Sequence, residues 1–227
     1  LDEFKTQLKK IRLIIVEQHQ SLYVDQLDAL LIKVNLFGFH FATLDIRQNS
    51  KIHDAVFKDV VNHYLKSDSA VFPANYFELS EIEKFDILSN VSGDLDPASF
   101  ENEMTNSTLG SIQAIKTIQQ NNGEFGSNRY IISNNESALN VMETFALFKL
   151  CNWSAPTVDI IPLFESVDDL QNAHQIMEKL YTNPAYAKHL QERNNKQTIM
   201  LGFSDGTKDG GYLDRKSTRL NSSHANV

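Results

Sequence analysis

The chain has 227 residues, 41% of them hydrophobic, and a formal net charge of −8 from 21 basic and 29 acidic residues. This size and composition predict one large domain, or part of one, with a buried core, and the single cysteine, Cys151, excludes a disulfide framework and fits a reducing, cytoplasmic location. Because the sequence has no Lys- or Arg-rich run and no apolar run of membrane-spanning length, we expect neither a nucleic acid nor a membrane as a partner.

The N-terminal region begins with two amphipathic helices. Apolar residues recur at helical spacing from Phe4 to Ile15 and again from Leu27 to Val34. The first helix lacks the charged-then-apolar layout of a signal peptide, and because the chain opens inside it without Met, we expect an upstream part to be missing. The segment Phe37–Arg47 is rich in aromatic and β-branched residues and predicts a buried strand that ends in charge.

Helices dominate the middle of the chain. One is predicted over about His53–Leu65, from the apolar residues on one of its sides. Between residues 67 and 126 we expect several helices with polar loops, interrupted by Pro73, Gly93 and Pro97.

The second half alternates strands and helices. The apolar segments that predict strands are Arg129–Ser133, Val158–Phe164 and Thr198–Ser204. Ser133 with Glu136 and Ser166 with Asp169 have the spacing of a capping box at a helix start, and a shorter helix is expected over Pro184–Arg193. Apolar strands that alternate with helices predict a parallel sheet with helices outside it, an α-rich α/β fold.

Charged residues fall at the ends of these predicted strands. Arg47, Glu165 and Asp205 each come just past a strand's C-terminal end, and Lys208 follows three residues later. In barrels and open α/β sheets these ends gather at one edge, so we expect the residues to converge. Two carboxylates without His or Cys suit a hard divalent cation such as Mg²⁺ or Mn²⁺. The glycines of Gly202–Gly211 would let backbone amides approach an anion, with Lys208 adding charge.

Each of these residues also has an ordinary structural interpretation. The Glu165 carboxylate precedes a helix, and the alternative to metal binding is that it stabilises that helix terminus. The Gly202–Gly211 run has the Asp and Gly content of a turn. Arg47 either grips a phosphate or carboxylate with its planar guanidinium group or pairs with Asp45, two residues back on the same strand face. No G-x-S-x-G or Cys–His arrangement indicates a nucleophile.

Four blocks of the sequence resemble, in the same order, blocks of the phosphoenolpyruvate carboxylase family. They are LDIRQNS at 44–50, RYIIS at 129–133, PLFESVDDL at 162–170 and GFSDGTKDGG at 202–211. The last is similar to the family's Gly-Tyr-Ser-Asp-Ser and Lys-Asp-Ala-Gly motif. The chain departs from the family with Asn49 for Glu, with Phe203 for Tyr, and with Gly206 and Thr207 for Ser and a small residue.

The resemblance covers about residues 1–213, and it implies a fold for them. It implies an α-rich, TIM-like (β/α)8 barrel with long inserted helices, incomplete here with four of its strands. Residues 1–213 would then be a partial barrel domain, and 214–227 a polar tail that is either disordered or foreign. Because an incomplete barrel leaves apolar surface and sheet edges exposed, we expect poor solubility.

The resemblance also implies an activity and roles for residues. The family carboxylates phosphoenolpyruvate with bicarbonate to give oxaloacetate and phosphate, through carboxyphosphate and the enolate of pyruvate. By this resemblance Glu165 and Asp205 would bind the essential Mg²⁺ or Mn²⁺. Arg47 would help to hold phosphoenolpyruvate, Lys208 would help to place bicarbonate, and Ser204 would be a further substrate-binding residue.

The family's catalytic His lies upstream of the matching blocks, and its Phe-His-Gly-Arg-Gly-Gly loop lies downstream. We therefore expect the isolated chain to be inactive. The resemblance also implies that the parent enzyme is a homotetramer, and the single cysteine fits a cytoplasmic location for it. The alternative is a truncated, non-catalytic relic that binds a metal ion or an anion.

Overall fold

The structure is a computed structural model that describes residues 1–67, 69–205 and 207–211. The chain divides into two compact units. The first comprises Leu1–Leu44 with Lys116–Asn128, and the second comprises Asp45–Ile115 with the chain from Arg129 onward. The polar tail expected at 214–227 lies outside the described residues.

Two helices make up most of the first unit. They are α1 (Asp2–Gln18) and α2 (Val24–Phe37), which pack against each other. Leu8, Leu31 and Val34 form the small core between them. The two helices predicted at the start of the chain are therefore confirmed.

The strand predicted over Phe37–Arg47 is wrong for most of its length. Phe37 ends α2, and Gly38 and Phe41 have φ values of 54° and 61°, in the left-handed region rather than the extended one. The rings of Phe37 and Phe41 stack with their centroids 5.1 Å apart. The aromatic residues that suggested a strand thus pack locally across a turn, and strand pairing begins only at Asp45.

The second unit is built on a parallel sheet in the order β1-β2-β3-β4. Its strands are β1 (Asp45–Asn49), β2 (Arg129–Ser133), β3 (Asp159–Phe164) and β4 (Met200–Leu201). The predicted α/β class is therefore confirmed, and the described residues contribute four strands without showing a barrel. The last strand is shorter than the predicted Thr198–Ser204, because residues 203–205 are already helical.

The helices after β1 follow the predicted alternation. They are α3 (Ser50–Lys66), α4 (Glu81–Asn90), α5 (Glu103–Asn122), α6 (Ala138–Leu150), α7 (Val167–Thr182) and α8 (Pro184–Glu192). The expectation of several helices between residues 67 and 126 is confirmed by α4 and α5. None of the helices in the described part of the chain is long and apolar enough to cross a membrane.

Both faces of the two central strands, β2 and β3, are buried. On one face Tyr130, Ile132 and Ile160 belong to the main core, together with α6, which is buried along almost its whole length. On the other face Ile131 and Ile161, which are register partners, form a smaller buried cluster. The side chains of β2 thus alternate between two apolar surroundings, and burial on both faces is typical of parallel sheets.

One of the two predicted capping boxes is confirmed. At the start of α7 the Asp169 N–H donates to Ser166 Oγ at 3.0 Å, and the Ser166 N–H donates to the Asp169 carboxylate at 2.9 Å. The box predicted at Ser133 is wrong, because this residue still belongs to β2 and α6 is capped by Ser137 instead. Asn134, with a φ of 53°, turns the chain between them and delays the helix start.

Candidate functional site

The C-terminal ends of the strands lie along one edge of the sheet, because all four strands are parallel. The residues that directly follow β1, β2, β3 and β4 are Ser50, Asn134, Glu165 and Gly202. These four residues and Arg47 of β1 make up the candidate site at this edge.

Glu165 accepts hydrogen bonds through both oxygens of its carboxylate. Arg47 Nη2 donates to Oε1 at 3.0 Å, and the backbone N–H of Asn134 donates to Oε2 at 2.9 Å. The Glu165 side chain is only 18% exposed. Groups from β1 and from the end of β2 therefore fix one carboxylate at the end of β3, although Arg47 and Glu165 are 118 positions apart.

Arg47 reaches Glu165 from within β1, where it lies opposite Ile131, and not from beyond the strand end as predicted. Its side chain is 53% exposed. The alternative prediction, that Arg47 pairs with Asp45, is wrong. The Asp45 carboxylate instead forms an ion pair with Arg129, whose Nε lies 2.8 Å from Asp45 Oδ1.

The main chain at Glu165 is held separately from its side chain. The Asp169 carboxylate accepts the backbone N–H of Glu165 at 3.3 Å and that of Ser166 at 2.9 Å. The carboxylate that caps α7 is thus that of Asp169, which leaves the Glu165 side chain to its contacts with Arg47 and Asn134.

Gly202 packs directly on Glu165. Its backbone N–H donates to the Phe164 carbonyl oxygen at 2.8 Å, and the residue is buried. A methyl group at this position would lie 3.0 Å from Glu165 Cα and 3.1 Å from Glu165 Cγ. Such a close approach of two backbones requires glycine.

Asp205 and Lys208 form the second pair of predicted site residues. Lys208 Nζ lies 3.7 Å from Asp205 Oδ1, and their side chains are 76% and 55% exposed respectively. One residue further along, the Asp209 carboxylate accepts the backbone N–H of Val167 at 2.9 Å. Asp205 therefore lies, in sequence, between two residues that contact the stretch 165–167, namely Gly202 and Asp209.

The Gly202–Gly211 run is mostly helical where it is described, and not the turn that its Asp and Gly content predicts. Residues 203–205 and 207–211 are helical, and Ser204 is exposed in the first of these stretches. Gly206 lies outside the described residues. Among the residues that are described, no hydrogen bond or ion pair joins the Arg47–Glu165 pair to the Asp205–Lys208 pair.

The donor atoms of the site suit a hard divalent cation in kind. Glu165 and Asp205 offer only carboxylate oxygens, and Mg²⁺ binds proteins through one or two such groups while keeping water and substrate oxygens as further ligands. Within the described ranges, no three His, Cys, Asp or Glu side chains cluster as a potential metal site. The two carboxylates therefore match such an ion in the chemistry of their oxygen atoms alone.

Sequence reasoning missed Asn134 and Asp209 as parts of this arrangement, and it assigned Gly202 to an anion-binding loop, whereas Gly202 packs on Glu165. Asn134 directly follows a predicted strand, so the rule that identified Glu165 also applies to it. That rule predicts sites from charged side chains, whereas Asn134 acts through its backbone N–H. Asp209 lies in the same run as Lys208, but its contact with α7 depends on tertiary structure.

Other buried ionisable groups lie in the core of the second unit. His53 is fully buried between Thr144 Oγ1 at 2.6 Å and the Tyr130 hydroxyl at 3.0 Å, and burial lowers its pKa to about 4. Burial, and then the nearby charge of Asp54, raises the pKa of Glu143 to about 8. His53 is thus a neutral core residue, and Glu143 is a protonated acid near neutral pH.

The sequence matches the family model of phosphoenolpyruvate carboxylase over residues 1–217. Two similar proteins are both called phosphoenolpyruvate carboxylase. The one from Nitrosomonas eutropha is 34% identical over 210 residues, which cover 87% of this chain and 22% of the relative. The one from Nitrosomonas europaea is 33% identical over 189 residues, which cover 79% and 20%. The chain therefore spans about a fifth of the length of these curated relatives.

Proposed function

The chain belongs to the phosphoenolpyruvate carboxylase family, and on this premise we propose that it supplies the metal- and phosphoenolpyruvate-binding edge of such an enzyme. The whole enzyme would carboxylate phosphoenolpyruvate with bicarbonate to give oxaloacetate and phosphate. The observation that carries the proposal is the Glu165 carboxylate, which Arg47 and Asn134 hold at the C-terminal edge of a parallel sheet. In α/β proteins this edge is where ligands bind.

Arg47 and Lys208 supply the cationic groups that a dianionic substrate needs. The chain is acidic overall, so an anionic ligand requires positive charge concentrated at its site. Both side chains are more than half exposed, which leaves them accessible to a ligand. The guanidinium group of Arg47 matches the planar oxygens of a phosphate or carboxylate, and Lys208 adds a point charge suited to bicarbonate.

Glu165 and Asp205 are the proposed ligands of Mg²⁺ or Mn²⁺. Bound there, the ion would stabilise negative charge that develops on substrate oxygens. Glu165 is held in position before any ligand arrives, by Asn134 through one oxygen and by Asp169 through its main chain. Such prior alignment removes the need to order the carboxylate during the reaction.

Ser204 is proposed as a weaker contact to substrate. It is exposed beside Asp205, and its hydroxyl group both donates and accepts hydrogen bonds. Since the matched part of this chain covers only about a fifth of the relatives' length, we expect the complete active site to need further residues. Oxaloacetate formation by the isolated chain should accordingly stay at background.

Calorimetric titration of the chain with phosphoenolpyruvate, with and without Mn²⁺, tests this function. We expect binding only when Mn²⁺ is present, and we expect Arg47→Gln to weaken it about tenfold or more, since it removes a charge-assisted hydrogen-bond donor. Arg12→Gln is the matched control, because Arg12 is also an exposed arginine paired with a carboxylate, that of Asp28. Equal affinities for phosphoenolpyruvate in the two variants would refute the role of Arg47.

A further inference from the structure

The turn after β2 connects the ends of three strands through one residue, Asn134. Its backbone N–H donates to Glu165 Oε2 at 2.9 Å, and its carbonyl oxygen accepts the Ser50 hydroxyl at 2.5 Å. Its side-chain amide donates to Glu136 Oε1 at 2.8 Å. The next backbone N–H, of Asn135, donates to the Leu163 carbonyl oxygen at 3.2 Å. The turn is thus fixed to the residue after β1, to β3 and to the start of its own loop.

We propose that Asn134 is a positioning residue, whose backbone N–H, held in place by the left-handed turn at this residue, sets the orientation of the Glu165 carboxylate for divalent-metal binding. This inference rests on the proposed function, because it takes Glu165 as a metal ligand. It concerns a residue that would act on the metal only through Glu165.

The backbone conformation is what makes Asn134 suited to this role. Its φ is 53°, a region that β-branched residues avoid and that Asn and Gly tolerate. The φ torsion directs the chain that follows the Asn134 N–H, where the Asn134 carbonyl oxygen accepts the Ser50 hydroxyl and the Asn135 N–H donates to the Leu163 carbonyl oxygen. Ser50 is only 2% exposed, and its hydroxyl thus anchors the peptide that follows the one carrying the Asn134 N–H.

The Asn134 contact is also the firmer of the two that hold the carboxylate. The terminal torsion of a glutamate side chain is broad, so the plane of the carboxylate is set by its partners. Arg47 is a long, half-exposed side chain on one oxygen, whereas Asn134 offers a backbone group that is fixed by neighbouring hydrogen bonds. Groups of this kind, which orient a metal ligand, usually change metal affinity about 10- to 100-fold when they are altered.

The test is a Mn²⁺ titration of the full chain, followed by the electron paramagnetic resonance signal of free Mn²⁺, with thermal melting of each variant measured in parallel. Asn134→Val disfavours the left-handed conformation and should raise the Mn²⁺ Kd about 10- to 100-fold. Asn134→Gly keeps both the conformation and the N–H, and it should stay within roughly threefold of the wild-type Kd. Asn152→Val is the matched control, since Asn152 has a similar φ of 57° just after α6.

A purely structural role would lower the melting temperature of Asn134→Val and of Asn152→Val alike and leave both Kd values unchanged. That result would overturn the inference. If Asn134→Val does not fold, Ser50→Ala decides, because it removes one hydrogen bond to the turn and should still weaken Mn²⁺ binding several-fold, about 3- to 10-fold. An unchanged Kd in Ser50→Ala would then overturn the inference.

Glu165→Gln separates this inference from the proposed function. If Glu165→Gln binds Mn²⁺ as tightly as the wild-type chain, Glu165 is not a ligand and the proposed metal site is refuted. If Glu165→Gln weakens binding while the Asn134 and Ser50 variants do not, only the positioning role of Asn134 is refuted.

Discussion

Replacing Gly202 with alanine tests whether the close contact between Gly202 and Glu165 shapes the site. The added methyl carbon would lie 3.0 Å from Glu165 Cα, 3.1 Å from Glu165 Cγ and 3.3 Å from the Phe164 carbonyl oxygen. Carbon atoms pack comfortably at about 3.5–4.0 Å, so the backbone at Glu165 has to move by about 0.5–1 Å. Overpacking of this kind costs about 1–3 kcal/mol of stability.

Urea unfolding and Mn²⁺ titration of Gly202→Ala measure the two consequences. We expect the free energy of unfolding to fall by about 1–3 kcal/mol and the Mn²⁺ Kd to rise about tenfold or more, because the displaced residue is the proposed ligand. Gly110→Ala is the matched control. Gly110 lies within α5 with nothing within 4 Å of the added carbon, so this change should stabilise the chain by about 0.5–1 kcal/mol. A Gly202→Ala variant as stable as wild type, with an unaltered Kd, would refute the reasoning.

Three further changes have defined outcomes. Arg47→Gln should tighten Mn²⁺ binding about two- to fivefold, because it removes a half-exposed positive charge that competes with the ion for the Glu165 carboxylate. Such a charge pair is worth about 0.5–1 kcal/mol. A weaker Mn²⁺ affinity in the same titration would contradict this. Glu143 has a pKa raised from 4.5 to about 8 by burial and by Asp54, so the native state keeps a proton that the unfolded chain has released. Stability should therefore fall between pH 4.5 and about 8 by up to about 1.4 kcal/mol per pH unit, and Glu143→Gln should flatten that slope in urea titrations; an identical slope would disprove the buried acid. Ser166→Ala removes the N-cap of α7 and should lower the free energy of unfolding by about 1 kcal/mol, whereas no loss in urea unfolding would argue against the cap.

The position of Glu165 was predictable from sequence, but the partner of Arg47 was not. A charge that directly follows an apolar strand lies at the C-terminal edge of a parallel sheet whatever the register of the strands. The partner of a charge within a strand depends on that register. Asp45 and Arg129 face each other across β1 and β2 and form an ion pair, which leaves Arg47 available to Glu165.

The failure at Phe37–Arg47 has a different physical cause. Aromatic and β-branched residues favour a strand because they fit a half-buried pleated surface. Their enrichment does not distinguish a strand from a turn in which rings such as Phe37 and Phe41 stack on each other. Similarly, the left-handed turn at Asn134 depends on its contacts with Ser50 and Glu165, which are far away in sequence.

The most direct test of the account is a Mn²⁺ titration that compares two site variants with a control. Glu165→Gln and Asp205→Asn should each weaken Mn²⁺ binding about tenfold or more, because each removes a charged oxygen ligand. Glu81→Gln is the control, since Glu81 is a carboxylate that also pairs with a cation at 3.0 Å, Lys179, away from the strand ends. Mn²⁺ affinities that are the same in all three variants and in the wild-type chain would contradict the proposed metal site.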